Sequence, residues 1–196
     1  MLTPVCRACR ARSGELVLDL GQQPVTDDFP ELTDGGPDPR YPLRMWLCAE
    51  CGLAQLADDP AVPAGPGTDE RSLLVAQAAD AVDRVARSGL LSRGHRVVEY
   101  GGAHGVSWLP MLIERGLRPV DGNGGEHADV VLDCFDLTRS ADQTEALATR
   151  VDRLAEGATI LLQYHSLTAM VHKRQWSALR FGHFAYYSTT ALVGML

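Results

Sequence analysis

Residues 97–105 read VVEYGGAHG: two β-branched residues lead through a glutamate and a tyrosine into three glycines. A short apolar run closed by glycines is the pattern of a buried strand that turns sharply at its carboxyl end. Glycine supplies the backbone freedom such a turn needs and lets a bound molecule approach the main chain, while a following helix offers unpaired N–H groups. The flanking segments fit this reading. Residues 69–91 (DERSLLVAQAADAVDRVARSGLL) carry apolar side chains at helical spacing behind an acidic start, and 107–116 (SWLPMLIERG) predict a second helix. A short strand is predicted at 117–120 (LRPV), another at 128–135 (ADVVLDCF), a polar helix from Ser140 to Leu154, and a strand within 159–165 (TILLQYH). Alternation of this kind predicts a parallel α/β sheet of the doubly wound type, whose ligand lies beyond the carboxyl ends of the strands.

The chain has 196 residues, room for one α/β domain of about 120–150 residues and a small satellite. Composition divides it in three. Residues 1–56 hold four of the five cysteines, 57–68 (ADDPAVPAGPGT) read as a Pro/Gly-rich linker, and 69–196 form the α/β domain. A net charge of −7 and the lack of any Lys/Arg-rich stretch exclude the basic face that nucleic-acid binding requires. No run of 18 apolar residues marks a membrane span, and MLTPVCRACR lacks a signal-peptide core, so the expected location is cytoplasmic.

That compartment decides how the cysteines are read. Cys6-x2-Cys9 and Cys48-x2-Cys51 form two knuckles, each presenting two thiols. In a reducing cytosol paired disulfides are disfavoured, and four thiolates around one ion suit zinc. With no open coordination position the zinc is structural, its binding energy part of the folding energy. Cys134, alone in an apolar strand, reads as a small buried residue.

The pieces CRAC, LDLGQQPVTDDF, YPLRMWLCAECGLAQL, VVEYGGAHGVSWLPMLIERG, ADVVL and RFGHFAYYSTTAL occur in the order found in the zinc-binding C-methyltransferases that modify nucleotide-linked deoxysugars in bacterial antibiotic pathways, which the chain resembles over nearly its whole length. The resemblance implies a small β-rich zinc module followed by a reduced Rossmann-like methyltransferase domain, with the family's C-terminal domain missing. It implies displacement at the sulfonium of S-adenosylmethionine by a substrate carbon, with S-adenosylhomocysteine as product and a histidine or tyrosine as base. Carried over onto this chain, Glu99, Gly101 and Gly105 match the methionine-binding loop and His183 the late histidine, and Gly102 within the same glycine run is a further cofactor-binding candidate. His165 falls at a polar position lining the family's pocket, while Tyr186, or Tyr187, is a candidate catalytic residue from the aromatic run after His183.

The chain also departs from that pattern. Ala103-His104 stands where a polar pair often lies, making His104 a candidate ligand contact. Arg180 and Gly182 replace the family's tyrosine and glutamate. After LRPV the run DGNGGEHADVVL lacks about one strand and one helix, so Asn123, or Asp121, stands where a ribose-binding carboxylate belongs. The shortened segment makes the chain similar to truncated methyltransferase relatives that partner radical S-adenosylmethionine enzymes. For such a protein the sulfonium would arrive already joined to the substrate, and internal displacement would close a cyclopropane ring. A non-catalytic zinc scaffold is the reading from a different class. The expected partners are a small-molecule substrate, a radical enzyme upstream in the ring-closing reading, and a second copy of the chain covering apolar surface in a homodimer.

Overall fold

The computed structural model describes residues 4–25, 36, 38–60, 71–101, 106–122 and 124–196, with side chains of the first helix from residue 75 onward. Two compact units make up the chain. The first, the cysteine unit, combines the N-terminal segment with Thr138–Thr144 and His165–Leu196; the second, the α/β unit, runs from the first helix to Leu137 and resumes over Glu145–Tyr164. The linker expected over 57–68 is described only to Pro60.

In the cysteine unit, β1 (Gly14–Pro24), β2 (Arg40–Cys48), β3 (Ala54–Leu56) and β8 (Ala185–Tyr186) form an antiparallel sheet in the order β1-β2-β3-β8. Leu43 and Met45 alternate inward along β2 and pack with Ala54, Leu56, Met170, Leu179 and Tyr186. The sequence reading drew one domain over 69–196, whereas the structure pairs Ala54 with Tyr186 and Gln55 with Ala185. A three-residue strand has an unfilled row of backbone groups on its outer edge, and β8 fills it. Helices α5 (Leu167–Lys173) and α6 (Thr189–Met195) each begin at a serine, Ser166 and Ser188, whose Oγ accepts the N–H three residues on.

The α/β unit holds four parallel strands in the order β5-β4-β6-β7: β4 (Arg96–Tyr100), β5 (Arg118–Pro119), β6 (Ala128–Cys134) and β7 (Leu154–Gln163). Val97, Val130 and Leu132 face a core with Ala78 and Val82 of α1 (Arg71–Arg87) and Leu112 of α2 (Leu109–Glu114). Val98 and Val131 face the other way and pack with Ala128, Leu154 and Ile160. Burial on both faces is why these strands read as unbroken apolar runs instead of alternating ones. The chain leaves β4 for β5 on one side and returns to β6 on the other, so the strand order reverses at the carboxyl end of β4, where ligands bind in open α/β sheets. Gly101 follows that end of the strand.

The short segment after β5 is organised by one side chain. Arg153, 8% exposed, donates from Nη1 to the carbonyls of Gly122 (2.8 Å) and Gly124, and from Nη2 to that of Asp121 (2.7 Å). A guanidinium with a fork of donors thus satisfies carbonyls that longer regular structure would otherwise pair. Two further helices, α3 (Asp136–Arg139) and α4 (Gln143–Val151), bracket the stretch that belongs to the cysteine unit. No helix among the described residues is long and apolar enough to cross a membrane.

Candidate functional site

The two knuckles are built alike. In the first, Cys6 N–H donates to Ala11 O (2.8 Å) and Arg10 N–H to Cys6 O (3.1 Å); in the second, Cys48 N–H donates to Leu53 O (3.0 Å) and Gly52 N–H to Cys48 O (3.1 Å). Each turn closes through a residue in the left-handed region, Arg10 at φ 63° and Gly52 at φ 71°. The repeated geometry brings Cys6, Cys9, Cys48 and Cys51 together with all four sulfurs within 4.8 Å of one another, Cys6 and Cys51 at 3.5 Å and Cys9 and Cys48 at 3.6 Å. A tetrahedral zinc with Zn–S bonds of about 2.3 Å spaces its sulfurs about 3.8 Å apart, so the donor set fits that ion.

Electrostatics point the same way. Burial raises the Cys6 thiol above its ordinary range and raises Cys51 further. Burial also opposes ionisation of Cys48, yet the backbone N–H groups of Cys51 and Glu50, together with hydrogen bonds from the Cys9 and Cys6 thiols, lower that thiol. Four thiols in one partly buried cluster cannot all ionise without a cation to hold the charge. A closed set of four thiolates supplies structure and no Lewis-acid position for a substrate.

Residues distant in sequence brace the first knuckle. Gln55, 2% exposed, accepts Arg7 N–H at 2.8 Å and donates to Val5 O at 3.0 Å. Gln143 N–H donates to Arg7 O (3.1 Å), and Thr144 Oγ1 donates to Ala8 O (2.8 Å). The Arg7 guanidinium lies 4.4 Å from the Phe184 ring centroid.

In the α/β unit Glu99 and Gly101 define the described part of the glycine turn. Glu99 Oε1 accepts Trp108 N–H at 2.7 Å and the Cys134 thiol at 3.5 Å, while Oε2 accepts the Ser107 hydroxyl. The carboxylate therefore ties the far end of the loop back to β4. Cys134 is fully buried, as its place in the strand suggested, but it donates to Glu99 as well as filling space, and burial raises its pKa. Gly101 has φ 85°, and a Cβ there would stand 2.4 Å from Cys134 O and 2.7 Å from Asp136 Cβ. Only glycine permits that approach. Gly102, His104, Gly105 and Asn123 lie outside the described residues.

Beside this turn the structure assembles a network that the sequence reading did not name. Asp133, 1% exposed at the end of β6, accepts Arg150 Nε at 3.0 Å and Leu137 N–H at 3.1 Å. Arg150 also pairs with Asp136, and its guanidinium carbon sits 4.4 Å from the Tyr100 ring centroid. Burial raises the Asp133 pKa, and Arg150 opposes the shift. The signal in the sequence was a charged residue, Asp133, directly after the apolar run Val130–Leu132 of that strand.

The candidate bases fall in the cysteine unit. The His165 and His183 rings stack at 5.6 Å between centroids with 24° between planes. Burial, followed by the charge of Arg180, lowers the His165 pKa below its ordinary 6.5. His183 Nε2 lies 3.3 Å from Arg139 Nη1, a partner no sequence pattern announced. The Tyr186 hydroxyl is committed to backbone: it accepts Arg180 N–H at 2.9 Å and donates to Arg180 O at 3.3 Å in a fully buried setting that raises its pKa. Tyr187 donates to Gln143 Oε1.

Fold and site together define a four-cysteine zinc module in one compact unit and a parallel α/β sheet with a ligand-type turn in the other. Residues 6–61 match the methyltransferase-associated family model Methyltransf_13, described as "Putative zinc binding domain". A search of curated proteins found no match to the chain.

Proposed function

We propose that this chain is a methyltransferase-family enzyme of bacterial secondary metabolism, acting by carbon displacement at an S-adenosylmethionine-type sulfonium on a small molecule or nucleotide sugar. The observation that carries the reading is the Gly101 turn at the carboxyl end of β4, where the strand order reverses, in a chain whose zinc module matches a methyltransferase-associated family. S-adenosylmethionine would supply an electrophilic carbon on a positively charged sulfur. In the α/β unit Glu99 ties Trp108 back to β4, and Gly101 lets the chain leave β4 in close contact with Cys134 and Asp136 at the strand's carboxyl end. In the cysteine unit His165 and His183 supply the imidazoles for proton removal. Loss of a proton from the acceptor leaves an electron pair on carbon; that pair forms the new bond as the carbon–sulfur bond breaks and its electrons stay on sulfur. Holding the partners in line is the larger contribution to rate, and the base adds to it.

The two-residue β5 and the short segment pinned by Arg153 favour a second reading. With little structure left to wall an adenosine, the sulfonium would be part of a larger substrate, made by a radical S-adenosylmethionine enzyme, and internal displacement would close a cyclopropane and release S-adenosylhomocysteine. Calorimetry with S-adenosylmethionine and S-adenosylhomocysteine tests both. Binding of both with methyl transfer supports the first reading, and binding of S-adenosylhomocysteine without methyl transfer supports the second. Binding of neither overturns the sulfonium chemistry and leaves a zinc scaffold.

A further inference from the structure

The backbone of the Cys6–Cys9 knuckle is engaged on two sides. The N–H groups of Ala8 and Cys9 hydrogen-bond to the Cys6 thiol. The carbonyls of those same peptide units belong to Arg7 and Ala8: Arg7 O accepts Gln143 N–H at 3.1 Å, and Ala8 O accepts the Thr144 hydroxyl at 2.8 Å. A peptide unit is planar and stiff, so turning its N–H toward a sulfur also aims its carbonyl. Arg10, just beyond Cys9, pairs with Asp142, and Arg7 Nη1 donates to Ala141 O at 3.2 Å. The metal loop is thus tied to the segment Thr138–Thr144, which lies in the same compact unit.

That segment also holds the two imidazoles. Thr138 O accepts Phe184 N–H at 2.7 Å, next to His183, and Arg139 Nη1 lies 3.3 Å from His183 Nε2. Gln143 Oε1 accepts the Tyr187 hydroxyl, and both side chains are fully buried. Tyr187 O in turn accepts Leu167 N–H at 2.9 Å, and Tyr187 forms a parallel bridge with Ser166, the residue after His165. Of the stacked pair, His183 is therefore anchored through 138–139 and His165 through Gln143 and Tyr187.

We propose that Thr138–Thr144 is a strap that couples zinc binding at Cys6 and Cys9 to the stacking of His165 and His183, with Gln143, Thr144 and Tyr187 as positioning residues. A thiolate is a stronger hydrogen-bond acceptor than a thiol, so zinc loading favours the peptide orientation that presents both carbonyls to the strap. Linkage is reciprocal: whatever the strap adds to zinc affinity, zinc adds to the order of the imidazoles. The strap and Tyr187 lie outside the family-matched residues 6–61, so part of the zinc affinity is set beyond that module. The coupling concerns where the imidazoles sit and stands apart from the sulfonium reading.

Zinc competition titrations of the full chain, with proton–nitrogen NMR of its histidine rings, test the strap. Thr144→Val removes one hydroxyl at an exposed position and should weaken zinc about 2–10-fold, the scale of one hydrogen bond, while Thr144→Ser stays within about twofold of the wild type. Tyr187→Phe should weaken zinc at least as much, acting through Gln143. Ser188→Ala removes the α6 cap, destabilises the same unit comparably and should leave zinc affinity within about twofold. Chelating zinc from the wild type should move the ring signals of His165 and His183, assigned by their loss in His165→Gln and His183→Asn, and leave that of His95, just before β4, in place. Zinc affinity unmoved by both Thr144→Val and Tyr187→Phe, or imidazole signals unmoved by zinc removal, overturns the proposal. So does a loss in Ser188→Ala equal to that in Thr144→Val, because zinc would then sense the stability of the whole unit. If chelation moves His95 as well, or Tyr187→Phe fails to fold, the comparison of Thr144→Val, Thr144→Ser and Ser188→Ala decides. A wild-type chain that holds no zinc overturns the four-thiolate site and the strap with it.

Discussion

Replacement of Cys9 by serine removes one donor from the zinc site with little disturbance of the core, because Cys9 is the exposed member of the set. The four sulfurs stand within 4.8 Å, with two pairs near the separation a tetrahedral zinc imposes, so the full complement of zinc–sulfur bonds is open to the ion. Structural zinc binds with an apparent free energy of about 10–16 kcal/mol near pH 7, or about 2.5–4 kcal/mol per thiolate if shared evenly. Each 1.4 kcal/mol is a factor of ten, so Cys9→Ser should weaken zinc affinity by about 10²–10³-fold. A competition titration against a chromophoric chelator reads this directly. Because metal affinity is also folding energy, the buried Trp46 of β2, two residues before Cys48, should report the loss as a red shift of emission at chelator concentrations the wild type tolerates. A variant that holds zinc within about threefold of the wild type, against the expected loss of about two decades, would refute the four-thiolate assignment. So would purified wild type carrying less than about half an equivalent of zinc, since a site of this affinity stays loaded.

Other consequences follow from single side chains. Gly101→Ala must accept a positive φ and a Cβ 2.4 Å from Cys134 O; strain of about 1–2 kcal/mol and overpacking of about 1–3 kcal/mol predict a loss of about 2–5 kcal/mol in urea unfolding. Arg150→Met leaves Asp133 buried without its partner and should cost about 3–5 kcal/mol. That loss should be larger at pH 8 than at pH 5, where the stranded carboxyl takes up a proton, and Asp133→Asn in the same protein should restore part of it. The lowered pKa of His165 means that the unfolded chain binds the proton more readily than the fold does. Stability should therefore fall as pH drops below the ordinary 6.5 toward the folded value, and His165→Gln should flatten that limb in unfolding measurements at pH 5.5 and 7.5.

The zinc site was legible because its information is local. Two Cys-x2-Cys turns carry their own geometry, and their repeated backbone hydrogen bonds depend on residues within five positions. Strands β4 and β6 were legible as apolar runs closed by glycine or a carboxylate, and α1 by its spacing, since burial on a regular element imposes a period on the sequence. The Gly101 turn was visible as glycine, and the structure added the Cys134 carbonyl that makes glycine necessary. The partnerships had no such signature. Ala185–Tyr186 was read as part of the α/β domain but completes the edge of β3, because a two-residue strand has no period and its partner is chosen by which backbone groups remain unpaired. Likewise Arg150 meets Asp133, Arg153 meets the carbonyls after β5, and Arg139 meets His183 across 17, about 30 and 44 positions. By itself the sequence determined which segments fold locally and which four sulfurs share an ion. Tertiary structure decided which buried charges are neutralised and which guanidinium meets which imidazole, because both depend on side chains that only the folded chain brings into range.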